Sequence, residues 1–355
     1  MTLVRSLRSA GGPAGALSLG FGAALALAAI LGENPVNVLN LLVQGAVGTA
    51  TARGYSLFYA TPLILTGLSV AWALRAGLFN IGAEGQMTIG GTAMAAAGIL
   101  ASGLPGFVAL PLALTAAFAA GGLWAALAGW IKAKRGCHEV LSTILLNFIA
   151  YGISSFVIVQ ALRDPASQGP ETAQVGDTFR IGVIPWIGGA SPLNWSLALA
   201  VAAAALFGFV FARTRFGFVQ RLCGGAPETA RRAGHRLDRE IVKAMFLSGG
   251  LAGLAGAGTV LGFAGRAREG FAGGAGFVGI AVALLGGGSA VGIVAASLLF
   301  GMLAKGSLNL EIDADYITRD LAIVIQALVV LAIACQKGLG DFWALIAMKM
   351  IARKR

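Results

Sequence analysis

Charge is scarce in this chain. Asp, Glu, Lys and Arg make up 12% of its 355 residues, against roughly 25% in ordinary soluble domains. That composition excludes the pair of water-soluble domains that length alone would allow. Cysteine and histidine are scarcer still. Cys137, Cys223 and Cys335 stand far apart, with neither disulfide nor zinc spacing among them. His138 and His235 are the only imidazoles, too few to suggest a transition-metal site. No G-x-x-x-x-G-K-[ST] loop occurs, so the chain is not its own P-loop ATPase.

Apolar residues are abundant, at 57%, and fall in blocks long enough to cross a hydrocarbon core, which takes about 20 helical residues. Spans are expected at 14–32, 57–74, 80–101, 107–131, 140–162, 194–212, 243–264, 275–287, 290–305 and 318–336. The first apolar run lacks a small-residue cleavage site and further spans follow it, which argues against a removable signal peptide. The expected fold is an all-α polytopic membrane protein of about ten transmembrane helices, some broken or half-length. It forms a single domain over 1–355. The two short spans after Gly274 leave a re-entrant hairpin open as an alternative.

The formal charge of +11 follows from topology. With the N-terminus inside, most of the 26 Lys and Arg residues fall on inner segments, including Arg213, Arg215, Arg221, Arg236 and Arg239. Outer segments hold Arg53, Arg163, Arg180, Arg266, Arg268 and Arg319. This is the positive-inside asymmetry, and it places both termini in the cytoplasm. Nucleic acid is not needed to explain the charge; the partner is the lipid bilayer.

Three stretches lie outside the spans. Residues 33–56 form an outer segment in which Val36, Leu39, Val43 and Val47 recur at helical spacing, as in a short interfacial helix. Residues 163–193, rich in Pro and Gly, read as an outer loop. Residues 213–242 form the one large inner loop. Most of the 53 glycines fit close helix packing, with small-xxx-small pairs such as Gly249 with Gly253 and Gly288 with Gly292. The rest mark candidate broken helices, which transporters use to line cavities.

Catalytic motifs fail on context. "GAGFVG" at 274–279 has dinucleotide spacing but no preceding strand. "GLGD" at 338–341 places Asp341 beyond the last span, with no aspartate to pair it. "LSGG" at 247–250 has no histidine at membrane depth.

Polar stripes are more informative. Glu139, Thr143, Asn147 and Tyr151 recur every four residues, which keeps them on one helical face. Asn80 and Glu84 have the same spacing, with Gln86 beside them. Polar groups in a membrane helix face protein or water rather than lipid. Interhelical hydrogen bonding and lining of a pathway both remain open. In the inner loop, "APETARRAGHRL" reads as a short helix: Pro227 suits its first turn, Glu228 its positive end, and Gly234 its stop. Such a basic helix could dock a soluble partner.

Four ordered motifs, "GLFNIGAEGQMTIGG", "HEVLSTILLNFIAYG", "CGGAPETARRAG…FLSGGLAGLAGA" and "GFVGIAVALLGG", resemble the nucleoside-type permeases of ABC importers. These belong to the superfamily of the ribose and branched-chain amino acid permeases. The resemblance covers about residues 57–336. It implies a bacterial inner-membrane translocation subunit without ATPase activity of its own. The implied partners are a second homologous permease, a separate ATPase that uses ATP and Mg, and an extracytoplasmic substrate-binding lipoprotein. It also implies that Pro227, Glu228, Thr229, Ala230, Arg231 and Arg232 form the helix that sits in the ATPase. The substrate pathway is expected to involve Asn80, Glu84, Gln86, Thr143 and Asn147, and the solute to be a nucleoside or a related sugar-containing compound. No cofactor is expected in the chain. An ion-coupled secondary transporter is the alternative; it would need acids deep in several spans, whereas Glu84 and Glu139 lie near span ends.

Overall fold

The computed structural model describes residues 2–313, together with 324, 327–328 and 331–332. The expected span 318–336 and the "GLGD" stretch at 338–341 lie largely or wholly outside the described residues. The helices are α1 (Thr2–Ile30), α2 (Pro35–Val47), α3 (Ala50–Arg75), α4 (Ala83–Leu100), α5 (Gly106–Arg135), α6 (Glu139–Phe156) and α7 (Pro185–Gly188). They continue as α8 (Ser196–Arg213), α9 (Arg215–Gly225), α10 (Pro227–Arg232), α11 (Leu237–Leu254), α12 (Ala275–Leu285) and α13 (Ala290–Asp313). Wider π turns extend α6 through Val157–Ala161 and follow α11 at Gly258–Phe263. Extended pairing among the described residues is limited to isolated bridges.

Six helical stretches among the described residues are long and apolar enough to cross a membrane: Ala50–Arg75, Gly106–Arg135, Glu139–Ala161, Ser196–Arg213, Leu237–Phe263 and Ala290–Leu310. Leu17–Ile30 and Ala275–Leu285 are shorter apolar stretches. Several expected boundaries need correction. The span expected at 290–305 is not short; α13 runs for 24 residues. Gly288 does not pack on a helix face with Gly292, because it sits at φ 67° in the turn before α13. The segment 33–56 is helical twice over, since α3 already begins at Ala50.

The chain divides into two compact units, the described parts of Met1–Ser56 with Met302–Arg355, and Leu57–Gly301. In the first, Asn34 caps α2 by accepting the Val36 N–H at 2.9 Å. The stripe of Val36, Leu39 and Val43 is exposed, while Val38 and Leu42 on the other face are buried with Ala24, Ala28 and Leu310.

The second unit holds the candidate site. Its centre is the junction of α4, α5 and α11, where backbones meet directly. A Cβ on Gly249 would lie 2.3 Å from the Gly121 carbonyl oxygen, so only glycine permits this crossing. Gly249 and Gly253 thus pack as their spacing predicts. Trp72 of α3 lies edge-on to Phe211 of α8, ring centres 4.9 Å apart.

The stretch 163–193 is held largely by contacts with residues 265–268, far along the chain. Thr172, fully buried, accepts the Ala267 N–H at 3.1 Å. Glu171 pairs with Arg266 and with Arg268, the latter at 2.9 Å. Phe179 on a short 3-10 turn is fully buried.

Candidate functional site

The connection between α3 and α4, residues 76–82, is non-helical although it lies between apolar helices. It starts where Gly77 takes φ 73°. Gly77 N–H then reaches the Leu74 carbonyl at 3.1 Å, and Leu78 N–H reaches Ala73 at 2.9 Å, which closes the end of α3. The next backbone groups are satisfied by side chains. Phe79 N–H donates to Glu139 at 3.1 Å, and Gly82 N–H to Asn80 at 2.9 Å. Gly85 N–H, one of the unpaired donors at the start of α4, donates to Asn147 Oδ1 at 2.9 Å. Asn147 Nδ2 returns a bond to the Ile81 carbonyl at 3.1 Å. Irregular backbone within a membrane bundle persists only where such partners exist.

Asn80 lies ahead of α4, so it does not share a helical face with Glu84. Instead, Asn80 and Gln86 exchange two amide hydrogen bonds, at 2.8 and 2.9 Å. Asn80 Nδ2 also donates to Ser248 Oγ of α11 at 2.8 Å, and Ser248 donates to the Ser69 carbonyl at 2.7 Å. These four residues are buried to 1% exposure or less. Thr143, also buried, donates to its own helix at the Val140 carbonyl. Glu139 further pairs with Lys132 at the end of α5.

Glu84 has a different environment. It stands in the first turn of α4, and its carboxylate accepts Gly274 N–H at 2.8 Å and Gly276 N–H at 2.6 Å. Those groups open α12. One carboxylate therefore serves two helix N-termini, where the helix dipole and unpaired N–H groups both favour an anion. The two helix starts touch: a Cβ on Gly276 would fall 2.2 Å from Glu84 N.

Glu84 also lines a cavity of about 170 Å³, with Thr88, Tyr151, Ser154, Ser155, Glu269, Gly270 and Ala272. Asn80, Gln86, Thr143 and Asn147 are not among its lining residues. This is space for several waters or a small polar solute, each water needing roughly 10–15 Å³ of such volume. Its lining is rich in acceptors and hydroxyls. Thr88, Ser154 and Ser155 escaped the sequence reading, although Glu84, Thr88 and Thr92 repeat every four residues. Tyr151 was in the α6 stripe.

The inner loop holds more helix than expected. Thr214 caps α9 by accepting Gly217 N–H at 3.1 Å. Gln220 of α9 donates to Glu240 of α11 at 2.7 Å. Burial pushes the Cys223 thiol above its ordinary value, and Glu240 adds to the effect. The short helix expected in "APETARRAGHRL" is α10. Pro227 opens it, and Gly234 at φ 84° closes it, with His235 N–H reaching the Ala230 carbonyl at 3.0 Å. Ala230 is buried and seats the helix, while Pro227, Glu228, Thr229, Arg231 and Arg232 are exposed. Glu228 and Arg231 form an exposed ion pair at 3.1 Å.

Residues 53–334 match the family described as the branched-chain amino acid transport system / permease component. The chain belongs to this permease family. It is a multi-pass membrane protein, and its relatives are transport subunits rather than enzymes. It is 37% identical to the guanosine ABC transporter permease NupP of Bacillus subtilis, over 90% of this chain and 91% of that one. It is 35% identical to the glucose ABC transporter permease TsgB13 of Haloferax volcanii, over 85% and 80% of the two chains. A second guanosine permease of Bacillus subtilis, NupQ, is 28% identical over 69% of this chain and 78% of its own.

Proposed function

We propose that this chain is the translocation subunit of an ATP-driven importer for nucleosides, and that solute passes beside Glu84. The observation that carries the pathway is the polar cavity at Glu84, set where α4 and α12 both begin inside the bundle. Irregular helix starts facing a cavity are the usual construction of a transporter's solute site. Similarity to guanosine permeases favours a nucleoside over a hexose. Asn80, Gln86 and Asn147 hold the start of α4, and with it Glu84, in place beside this route, while Thr143 is buried on α6 nearby.

In this reading α10 docks a separate ATPase, which uses ATP and Mg, through Pro227, Glu228, Thr229, Arg231 and Arg232, while Ala230 anchors it. The chain crosses the bacterial inner membrane ten times as one permease domain, with both termini in the cytoplasm. Among the described residues α1, α4 and α12 add to the six longer spans; the remaining expected span, 318–336, lies largely outside them. A second homologous permease completes the route, as the resemblance of this chain to two guanosine permeases of one organism suggests. An extracytoplasmic binding lipoprotein delivers the solute.

The test is solute protection at the cavity. In the assembled transporter carrying Ser155→Cys, guanosine is expected to slow maleimide labelling while glucose leaves it unchanged. Labelling that is indifferent to guanosine in a transporter that imports it contradicts the pathway; protection by glucose alone contradicts the solute.

A further inference from the structure

α9 ends against the connection between α3 and α4, and the contact is backbone on backbone. A Cβ on Gly224 would lie 2.5 Å from Gly77 N, 2.6 Å from the Ala76 carbonyl carbon and 2.7 Å from the Arg75 oxygen. A Cβ on Gly77 would lie 2.7 Å from Gly224 Cα. Backbone cannot swing aside as a side-chain tip can, so a shift of either segment displaces the other. Gly224 belongs to the last turn of α9, and α10 begins at Pro227.

The ends of α3 and α4 that flank this connection grip α12 at both of its ends. Glu84 accepts the N–H groups of Gly274 and Gly276 at its start. Arg75 donates from Nε and Nη2 to the Gly288 carbonyl just past its end, at 3.1 and 2.9 Å. An anion at the N-terminus and a cation at the C-terminus each complement the helix dipole. Arg75 is itself fixed over the Phe211 ring, 4.9 Å from its centre. With 11 residues, α12 is short enough to move as one rigid piece. The loop before it, from Glu269 to Ala272, forms one rim of the Glu84 cavity. A second cavity, of about 200 Å³, flanks the Gly77–Gly224 contact and gives it room to shift.

We infer that Gly77 and Gly224 form the contact through which movement of α10 reaches the solute cavity, with the 75–84 connection carrying α12 as its load. The inference rests on the reading of α10 as the ATPase-docking element. Gly77 and Gly224 are positioning residues; neither touches solute.

The experiment compares Gly224→Ala with Gly225→Ala in the purified transporter with its ATPase, reconstituted in liposomes. Gly225 is the control, since a Cβ there meets nothing within 4 Å. Gly224→Ala is expected to retain the ATPase and hydrolyse ATP but to lose most solute uptake per ATP. With Ser155→Cys as reporter, the labelling difference between ATP-bound and nucleotide-free states is expected to vanish. Gly225→Ala is expected to match the parent in every readout. Should Gly224→Ala fail to assemble, Arg75→Lys decides, because it keeps the cation but loses the two-pronged hold on Gly288; the same loss of uptake per ATP is expected. The inference is overturned if assembled Gly224→Ala, or Arg75→Lys in its place, keeps the parent ratio of uptake to hydrolysis. Equal losses in both glycine variants would also overturn it. A parent chain that never binds the ATPase overturns the functional reading, and this inference with it.

Discussion

Asn147 Oδ1 accepts the Gly85 N–H at 2.9 Å, so a side chain of α6 completes the first turn of α4. Asn147→Leu removes that acceptor and the donor to Ile81, leaving the buried Gly85 N–H and the part-buried Ile81 carbonyl unpaired. Each costs about 1–3 kcal/mol. The variant is expected to lower the thermal unfolding midpoint of the purified protein. Gly85→Ala should do likewise, since its Cβ would lie 2.6 Å from Asn147 Oδ1. Unchanged midpoints for both would show that this junction contributes nothing to stability.

Glu84→Gln keeps the side chain's size but offers one acceptor to the two N–H groups of Gly274 and Gly276. Losing the charge at the helix terminus costs up to about 2 kcal/mol, and the N–H left without an acceptor adds about 1–3 kcal/mol. The variant is expected to unfold at a lower temperature and, once assembled, to transport more slowly. Lower assembled yield with normal transport per complex would assign Glu84 to stability alone.

The spans and α10 were legible because their signals are local: long apolar runs, Pro227 at a helix start, and Gly234 at its stop. α9 was missed, since its charged, glycine-bearing sequence hides the Thr214 cap. The junction was not legible for a different reason. Spacing alone puts Asn80 on a helix with Glu84, but its partners are Gln86 and Ser248, the latter on another helix. Likewise, Glu84 meets Gly274 and Gly276 only once α12 has folded beside α4. Periodicity reports which residues share a face; it does not report which distant backbone that face will cap.

For α10, the charge reversal Arg231→Glu with Arg232→Glu is expected to reduce co-purification of the ATPase while leaving the unfolding midpoint unchanged, because both residues are exposed. Ala230→Leu is expected to differ, since it forces bulk into the buried seat of the helix and should lower the midpoint as well. Wild-type levels of bound ATPase in the charge-reversed protein would remove α10 from the docking role.

The loop around Glu171 should respond to acid. A hydrogen bond from Ser167 holds the Glu171 carboxyl below its ordinary range, and Arg268 and Arg266 reinforce the effect. A depressed folded-state value means the stabilisation is present above the unfolded value, about 4.3, and is lost as pH falls through the folded one. Hydrogen exchange in residues 163–173 is expected to quicken below that range after correction for intrinsic rates. Glu171→Gln should abolish the change; an identical acid response in that variant would point to another group.

Uptake of radiolabelled guanosine into proteoliposomes separates an ATP-driven importer from an ion-coupled transporter. The vesicles would hold this chain with its partner permease and ATPase, and would be supplied with the binding lipoprotein. Accumulation is expected to require ATP hydrolysis and to survive collapse of the ion gradients by ionophores. Uptake that continues without ATP and disappears with the ionophore would contradict it and indicate an ion-coupled transporter.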